Sequence, residues 1–131
     1  MTALRPLAVA AILALSATAS VPASAAQVEP FTPAAFDAAK AAGKSILVDV
    51  TAPWCPTCKA QHPILSRLEA EPKFKDLVVL AVDFDSQKSD LRSLGVRMQS
   101  TLIAFKGTKE TARSTGDTKP ESIARLLDAA L

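Results

Sequence analysis

The chain has 131 residues, of which 49% are hydrophobic and 21% charged, and its formal net charge is +2. The 15 basic and 13 acidic residues are nearly balanced, and no basic run is interleaved with aromatic residues, so the composition excludes a typical nucleic-acid-binding surface. The two cysteines of the chain, Cys55 and Cys58, are three positions apart.

Residues 1–26 have the pattern of a cleaved secretory signal peptide. Arg5 is the only charged residue before Glu29, residues 7–19 are apolar, and Ala23-Ser24-Ala25 fits a small-x-small cleavage site. The alternative is a membrane anchor, but the apolar run is shorter than the roughly 20 residues that span a bilayer. The sequence therefore predicts an exported, periplasmic protein with one mature domain, residues 27–131, that is not inserted in the membrane.

The mature domain is predicted to alternate helices and strands. In chain order we expect a polar linker (27–30), a helix (33–42), a strand (45–51), a helix (55–70), a strand (78–83), a short helix (88–94), two strands (101–105 and 110–115) joined by a hairpin, and a final helix from Pro120. The early alternation implies parallel crossovers and the hairpin implies antiparallel pairing. The predicted fold class is therefore α/β, with a mixed, roughly four-stranded sheet and helices on both faces.

The cysteines lie where the first core strand meets the second helix. At a helix N-terminus, free backbone N–H groups and the helix dipole stabilise a thiolate, so Cys55 is predicted to be the nucleophile. Cys58, one turn later and more buried, would resolve the mixed disulfide. We expect Trp54 to keep Cys55 partly exposed against an aromatic rim. A structural staple is disfavoured because a loop of about four residues removes little chain entropy.

Asp49 interrupts the apolar strand 45–51, six residues before Cys55. A carboxylate in such a strand is expected to be desolvated, which raises its pKa. The alternative is an acid that is solvated at the strand end or paired with a lysine.

The element order, the segment Trp54-Cys55-Pro56-Thr57-Cys58-Lys59, and Pro63 five residues past the second cysteine resemble the thioredoxin family. The resemblance covers residues 31–131. It implies the thioredoxin fold, thiol–disulfide exchange with protein disulfides, and no cofactor beyond the dithiol. It also implies that Asp49 accepts a proton from the buried cysteine, and that substrate contacts come from the residues around the two sulfurs: Trp54, Pro56, Thr57, Gln99, Ser100 and Thr101.

Two positions depart from the family pattern. Ser100 stands where thioredoxins place a cis-proline, and Ala81 stands where they place a lysine near the buried acid. The Ser100 loop would either keep a cis bond, at about 2.5–4 kcal/mol, or relax to trans. We expect Ser100 to face the sulfurs, where its hydroxyl can hydrogen-bond to a thiolate.

Three other functions stay open at this point. Cys55, Cys58 and His62 have a spacing that could hold copper(I) or zinc. The fold could instead serve a thiol oxidase, or a docking module without catalysis. A reductase or electron carrier is favoured over an oxidase, because related periplasmic oxidases carry a helical insertion for which the domain has no room. By family analogy, its electron donor would be a membrane-embedded thiol electron transporter.

Overall fold

The computed structural model describes residues 25–131, so residues 1–24 of the predicted signal peptide lie outside it. Its strands and helices, in chain order, are β1 (Gln27–Pro30), α1 (Pro33–Ala41), β2 (Ser45–Thr51), α2 (Pro56–Glu69), β3 (Val78–Asp83), α3 (Lys88–Ser93), β4 (Thr101–Lys106), β5 (Lys109–Thr115) and α4 (Pro120–Asp128). Within residues 25–131, no helix has both the length and the apolar character that a membrane span requires.

The strands form one mixed sheet in the order β1-β3-β2-β4-β5. β1 and β2 run parallel to β3, whereas β4 is antiparallel to β2 and β5 is antiparallel to β4. The α/β class and the mixed sheet are confirmed, but the sheet has five strands rather than four. The predicted linker 27–30 is an edge strand, with Gln27 paired to Val78.

Alternate side chains of the central strand β2 serve two separate cores. Ile46, Val48 and Val50 pack in the core that also contains residues of α1 and α3. Leu47 packs in the core formed with α2 and α4. Because side chains alternate along a strand, Asp49 lies on the same face as Leu47, beneath α2. The fold thus buries one carboxyl under the helix that carries the cysteines.

Candidate active site

The two cysteines form a disulfide at the first turn of α2, with their Cα atoms 5.3 Å apart. Cys55 is the N-cap residue, and its sulfur accepts a hydrogen bond of 3.0 Å from the backbone N–H of Cys58. Pro56 occupies the first helical position, where its missing N–H costs no hydrogen bond. In the reduced form the same N–H and the positive end of the helix dipole favour negative charge on the Cys55 sulfur.

The disulfide is more enclosed than the sequence predicted. Cys55 is 0% and Cys58 1% exposed, so the expected partial exposure of Cys55 is wrong for the disulfide form. The two cysteines pack with Ala52 and Phe84, and Phe84 belongs to the turn after β3, far along the chain. In the disulfide form the two sulfurs are therefore covered by residues from two parts of the chain.

Trp54 forms the exposed rim of the site. Its side chain is 53% exposed, its ring meets Phe84 edge-on with centroids 6.3 Å apart, and its indole N–H donates to Asp85 at 2.8 Å. Trp54 is thus held in place while most of its ring remains available to a docking protein. Asp85 and Phe84 are site residues that the sequence analysis missed, because their contacts with Trp54 join parts of the chain that are about 30 positions apart.

Asp49 is the buried acid of the site, with 9% of its surface exposed. Burial disfavours its charged form and raises the pKa of Asp49 from 3.8 to about 6, while His62 acts in the opposite direction. In the sheet register, Asp49 lies opposite Ala81 of β3. The carboxyl is therefore desolvated, as the sequence indicated, and the neighbouring position on β3 carries no charge.

His62 does not join the cysteines as a third metal ligand. Its Nε2 lies 3.2 Å from the Thr51 hydroxyl oxygen. Within residues 25–131, no three His, Cys, Asp or Glu side chains are grouped so that they could hold a metal ion. The geometry of the disulfide form gives the copper or zinc interpretation no support.

The loop of residues 97–100, hereafter the Ser100 loop, forms the second flank of the site. All peptide bonds in the described chain are trans, and Ser100 has φ = 57°, in the left-handed region. Its backbone N–H donates to the Val50 carbonyl at 2.8 Å, and its hydroxyl donates to the Gln99 carbonyl at 2.6 Å. Ser100 is 4% exposed. The expected bond from its hydroxyl to a thiolate stays a prediction for the reduced protein.

Gln61 holds this loop, and the sequence analysis missed it. Gln61 is 1% exposed, and its amide nitrogen donates to the Ser100 carbonyl at 3.2 Å and to the Asp117 carbonyl at 2.8 Å. Within residues 25–131, its amide oxygen is buried and has no hydrogen-bond partner. The available signal was its spacing of three residues from Cys58, which places both on one face of α2.

The remaining predicted contact residues surround this centre. Thr57 is half-buried on the first turn of α2, and Gln99 is half-buried in the Ser100 loop. Thr101 is buried, pairs with Val50 across the sheet, and donates its hydroxyl to the Met98 carbonyl at 2.8 Å. Met98 itself is 54% exposed. The predicted site residues thus converge at one end of the sheet, and among the predicted substrate contacts Ser100 and Thr101 are buried.

Comparison with known proteins agrees with this arrangement. The sequence matches the thioredoxin family over residues 27–129. The thioredoxin of Chlamydia muridarum is 37% identical over 82 residues, which are 63% of this chain and 78% of that protein. The crystal structure of Trxlp from Edwardsiella tarda is 46% identical, with a TM-score of 0.75 over 77% of this chain and 98% of that one.

A third relative is the thioredoxin f2 of a complex with ferredoxin:thioredoxin reductase, 27% identical with a TM-score of 0.67 over 82% of this chain and 97% of that one. The family match, the fold and the disulfide at the start of α2 lead to one conclusion. The chain belongs to the thioredoxin family and is a thiol–disulfide oxidoreductase built on the Cys55–Cys58 pair.

Proposed function

We propose that this protein is an exported reductase or electron carrier that delivers electrons to protein disulfides. The observation that carries the proposal is the capped sulfur of Cys55, which accepts the Cys58 N–H at the start of α2. That contact stabilises a thiolate and makes Cys55 a good leaving group as well as a nucleophile. The exposed Trp54 and Met98 give a protein substrate an apolar surface beside the sulfurs.

The reaction proceeds in two exchanges. The Cys55 thiolate attacks one sulfur of the substrate disulfide, which breaks the substrate S–S bond and releases one substrate thiolate that takes up a proton. Cys58 then loses its proton to the Asp49 carboxylate and attacks the Cys55 sulfur, which breaks the mixed disulfide and releases the second substrate thiolate, and this thiolate also takes up a proton. The substrate gains two electrons and two protons in total, and the Cys55–Cys58 disulfide is left.

A reductase needs a donor that restores its dithiol. One structural relative was solved in complex with a reductase, ferredoxin:thioredoxin reductase, which supports reduction through a direct protein–protein contact. For an exported protein, we propose a membrane-embedded thiol electron transporter as that donor. It would use the same surface as the substrate, because the exposed apolar side chains that the proposal assigns to docking are Trp54 and Met98.

Trapping of partners tests the direction and the substrates. A Cys58→Ser variant should accumulate mixed disulfides through Cys55, identifiable by mass spectrometry after non-reducing separation. Cys55→Ser is the matched control and should trap far less. Equal trapping by both variants, or full function of Cys55→Ser, would contradict the proposed mechanism and favour a docking module.

Export is tested on the full chain. The N-terminus of the mature protein, expressed in a Gram-negative host, should begin near residue 26 or 27, and the protein should be released with the periplasmic fraction. A variant with Ala23 and Ala25 both changed to Asp should retain the uncleaved N-terminus. Recovery of the unmodified chain at full length in the cytoplasm would overturn the export proposal.

A further inference from the structure

A cleft of about 660 Å³ opens beside the buried acid. Its lining includes Thr51 at the end of β2, His62 on α2 and Ala81 on β3. Ala81 lies opposite Asp49 in the sheet, and Thr51 is two residues further along β2 on the same face. The cleft thus reaches the neighbourhood of a carboxyl that is otherwise covered by α2.

His62 is fixed at this cleft by a specific contact. Its Nε2 and the Thr51 hydroxyl are 3.2 Å apart, and residues two apart on a strand are separated by about 6.6 Å. The imidazole is therefore held beside Thr51, which lies one strand repeat beyond Asp49 at the end of the strand nearest the cysteines. It is exposed to solvent, whereas Asp49 is buried.

We propose that the charge of His62 sets how readily Asp49 takes up and releases a proton. His62 is in this sense a positioning residue for Asp49. The proposal rests on the proposed function in so far as that proton comes from Cys58. The electrostatic link itself depends only on the folded protein. Thiol–disulfide exchange does not itself require a histidine at position 62. The electrostatic link between His62 and Asp49 is therefore particular to the cleft of this chain.

The other groups packed around Asp49 are acidic or apolar, and the positive charge that acts on Asp49 is that of His62. Glu69 lies seven residues after His62 on α2, and its pKa is raised by burial and further by the charge of Asp49. Across the sheet, Leu102 of β4 pairs with Asp49. The side chains that α4 contributes to this core are apolar: Ile123, Leu126 and Leu127.

The cleft also contains Glu29, Lys59 and Asp83. Lys59 and Asp83 are exposed to solvent, as His62 is, and Glu29 is partly buried on β1. Lys59 is the second cation of the cleft and lies on the same helix as His62, so it provides a matched control. The influence that acts on Asp49 beside burial is that of His62.

The link makes the proton step responsive to pH. The pKa of Asp49 is raised to about 6, and the charge of His62 acts against that rise. Removal of that charge would leave Asp49 easier to protonate, so near neutral pH less of it would be a carboxylate able to accept the Cys58 proton.

The direct test follows the Asp49 carboxyl carbon by NMR from pH 4 to 8 in the disulfide form of the full mature domain. His62→Gln should raise the midpoint of this titration by about half a pH unit or more, and Thr51→Val should raise it by less. Lys59→Gln should leave the midpoint in place. An unchanged midpoint in His62→Gln, or an equal shift in Lys59→Gln, overturns the proposal.

A kinetic cycle then reads the catalytic consequence. At pH 6.5, His62→Gln should slow the resolution of a Cys55 mixed disulfide about twofold, and the difference should disappear above pH 8. In an Asp49→Asn background the His62 change should have no effect, and His62→Lys should restore the rate. Equal slowing at every pH, with or without Asp49, would show a merely structural role. If no mixed disulfide resolves at all, the proposed function fails while the NMR titration still decides the link.

Discussion

On one flank of the disulfide, Asp49 and His62 place titratable groups beside an open cleft. On the other flank, the Ser100 loop is closed and is held by hydrogen bonds of its own backbone. The first flank changes its charge with pH and leaves the backbone unstrained. On the second flank, the hydrogen bonds that join the Ser100 loop to Val50 and Gln61 involve no titratable group. This flank instead has a serine, Ser100, at positive φ.

The difference separates two jobs that one site must perform. In the proposed mechanism Asp49 accepts a proton, so it has to be desolvated enough to hold the proton and near enough to water to release it. The Ser100 flank is predicted to contact substrate, and its buried backbone hydrogen bonds would hold that surface in one shape. Substitutions on the first flank should therefore alter pH dependence, and those on the second should alter stability and docking.

The largest effect is expected from Ser100→Pro. Proline fixes φ near −65°, whereas Ser100 has φ = 57° and donates its N–H to the Val50 carbonyl. We expect a loss of about 2 to 4 kcal/mol in the free energy of unfolding, measured by chemical denaturation. Ser100→Gly, which accepts positive φ without strain, should stay within about 1 kcal/mol of the parent. Equal stability of the proline variant would show that the loop readily adopts another backbone conformation.

On the opposite flank, Asp49→Asn should stabilise the protein at neutral pH. The folded-state pKa of Asp49, about 6, is above its unfolded value of 3.8, so the folded state binds more protons between these values. Stability therefore falls as pH rises through this window, and the penalty, at most about 3 kcal/mol, persists at pH 7.

Denaturation curves from pH 4 to 8 check the Asp49 prediction. The parent should lose stability relative to Asp49→Asn as pH rises from 4 to 6, and the gap should stay constant above pH 7. If the difference in unfolding free energy between the parent and Asp49→Asn were the same at pH 4 and pH 7, folding would not raise the pKa of Asp49, and the prediction would be wrong.

The features that could be read from the sequence are those set by neighbours in the chain. The apolar run of β2 with Asp49 inside it, the cysteines at the start of α2 and the β4–β5 hairpin are all local patterns, and the structure contains them. The uncharged position opposite Asp49 also follows from the sheet register, in which Ala81 is its partner.

The features that were missed depend on distant parts of the chain. β1 has four residues, mostly exposed, and becomes a strand only by pairing with β3. Cys55 is buried because Phe84 packs on it from 29 positions away. The conformation of Ser100 depends on Gln61, which reaches it from α2 across 39 positions. No local pattern carries such contacts, because they arise from packing of whole elements.

A smaller effect is expected from Gln61→Leu on the Ser100 flank. The change removes the donor to the Asp117 carbonyl, while the Ser100 carbonyl keeps its bond from the Gly116 N–H at 3.0 Å. Loss of the unpartnered amide oxygen offsets part of the cost. We expect destabilisation by about 1 kcal/mol and faster amide exchange at Ser100. Gln61→Glu, which would bury a charge beside two carbonyls, should be clearly worse; if it were better tolerated than leucine, the donor role would be wrong.

The smallest effect concerns the two aromatic residues beside the disulfide, Trp54 and Phe84. Asp85 accepts the Trp54 indole N–H at 2.8 Å, and Trp54 packs on Phe84 over the disulfide. Asp85→Ala should free the ring and speed reduction of the disulfide by dithiothreitol about twofold, measured through the change in Trp54 fluorescence. Asp85→Asn keeps an acceptor oxygen and should match the parent. Slower reduction of Asp85→Ala would mean that the Trp54 ring, when held by Asp85, does not hinder thiols from reaching the disulfide. The cover of the disulfide would then come from Phe84 and not from Trp54.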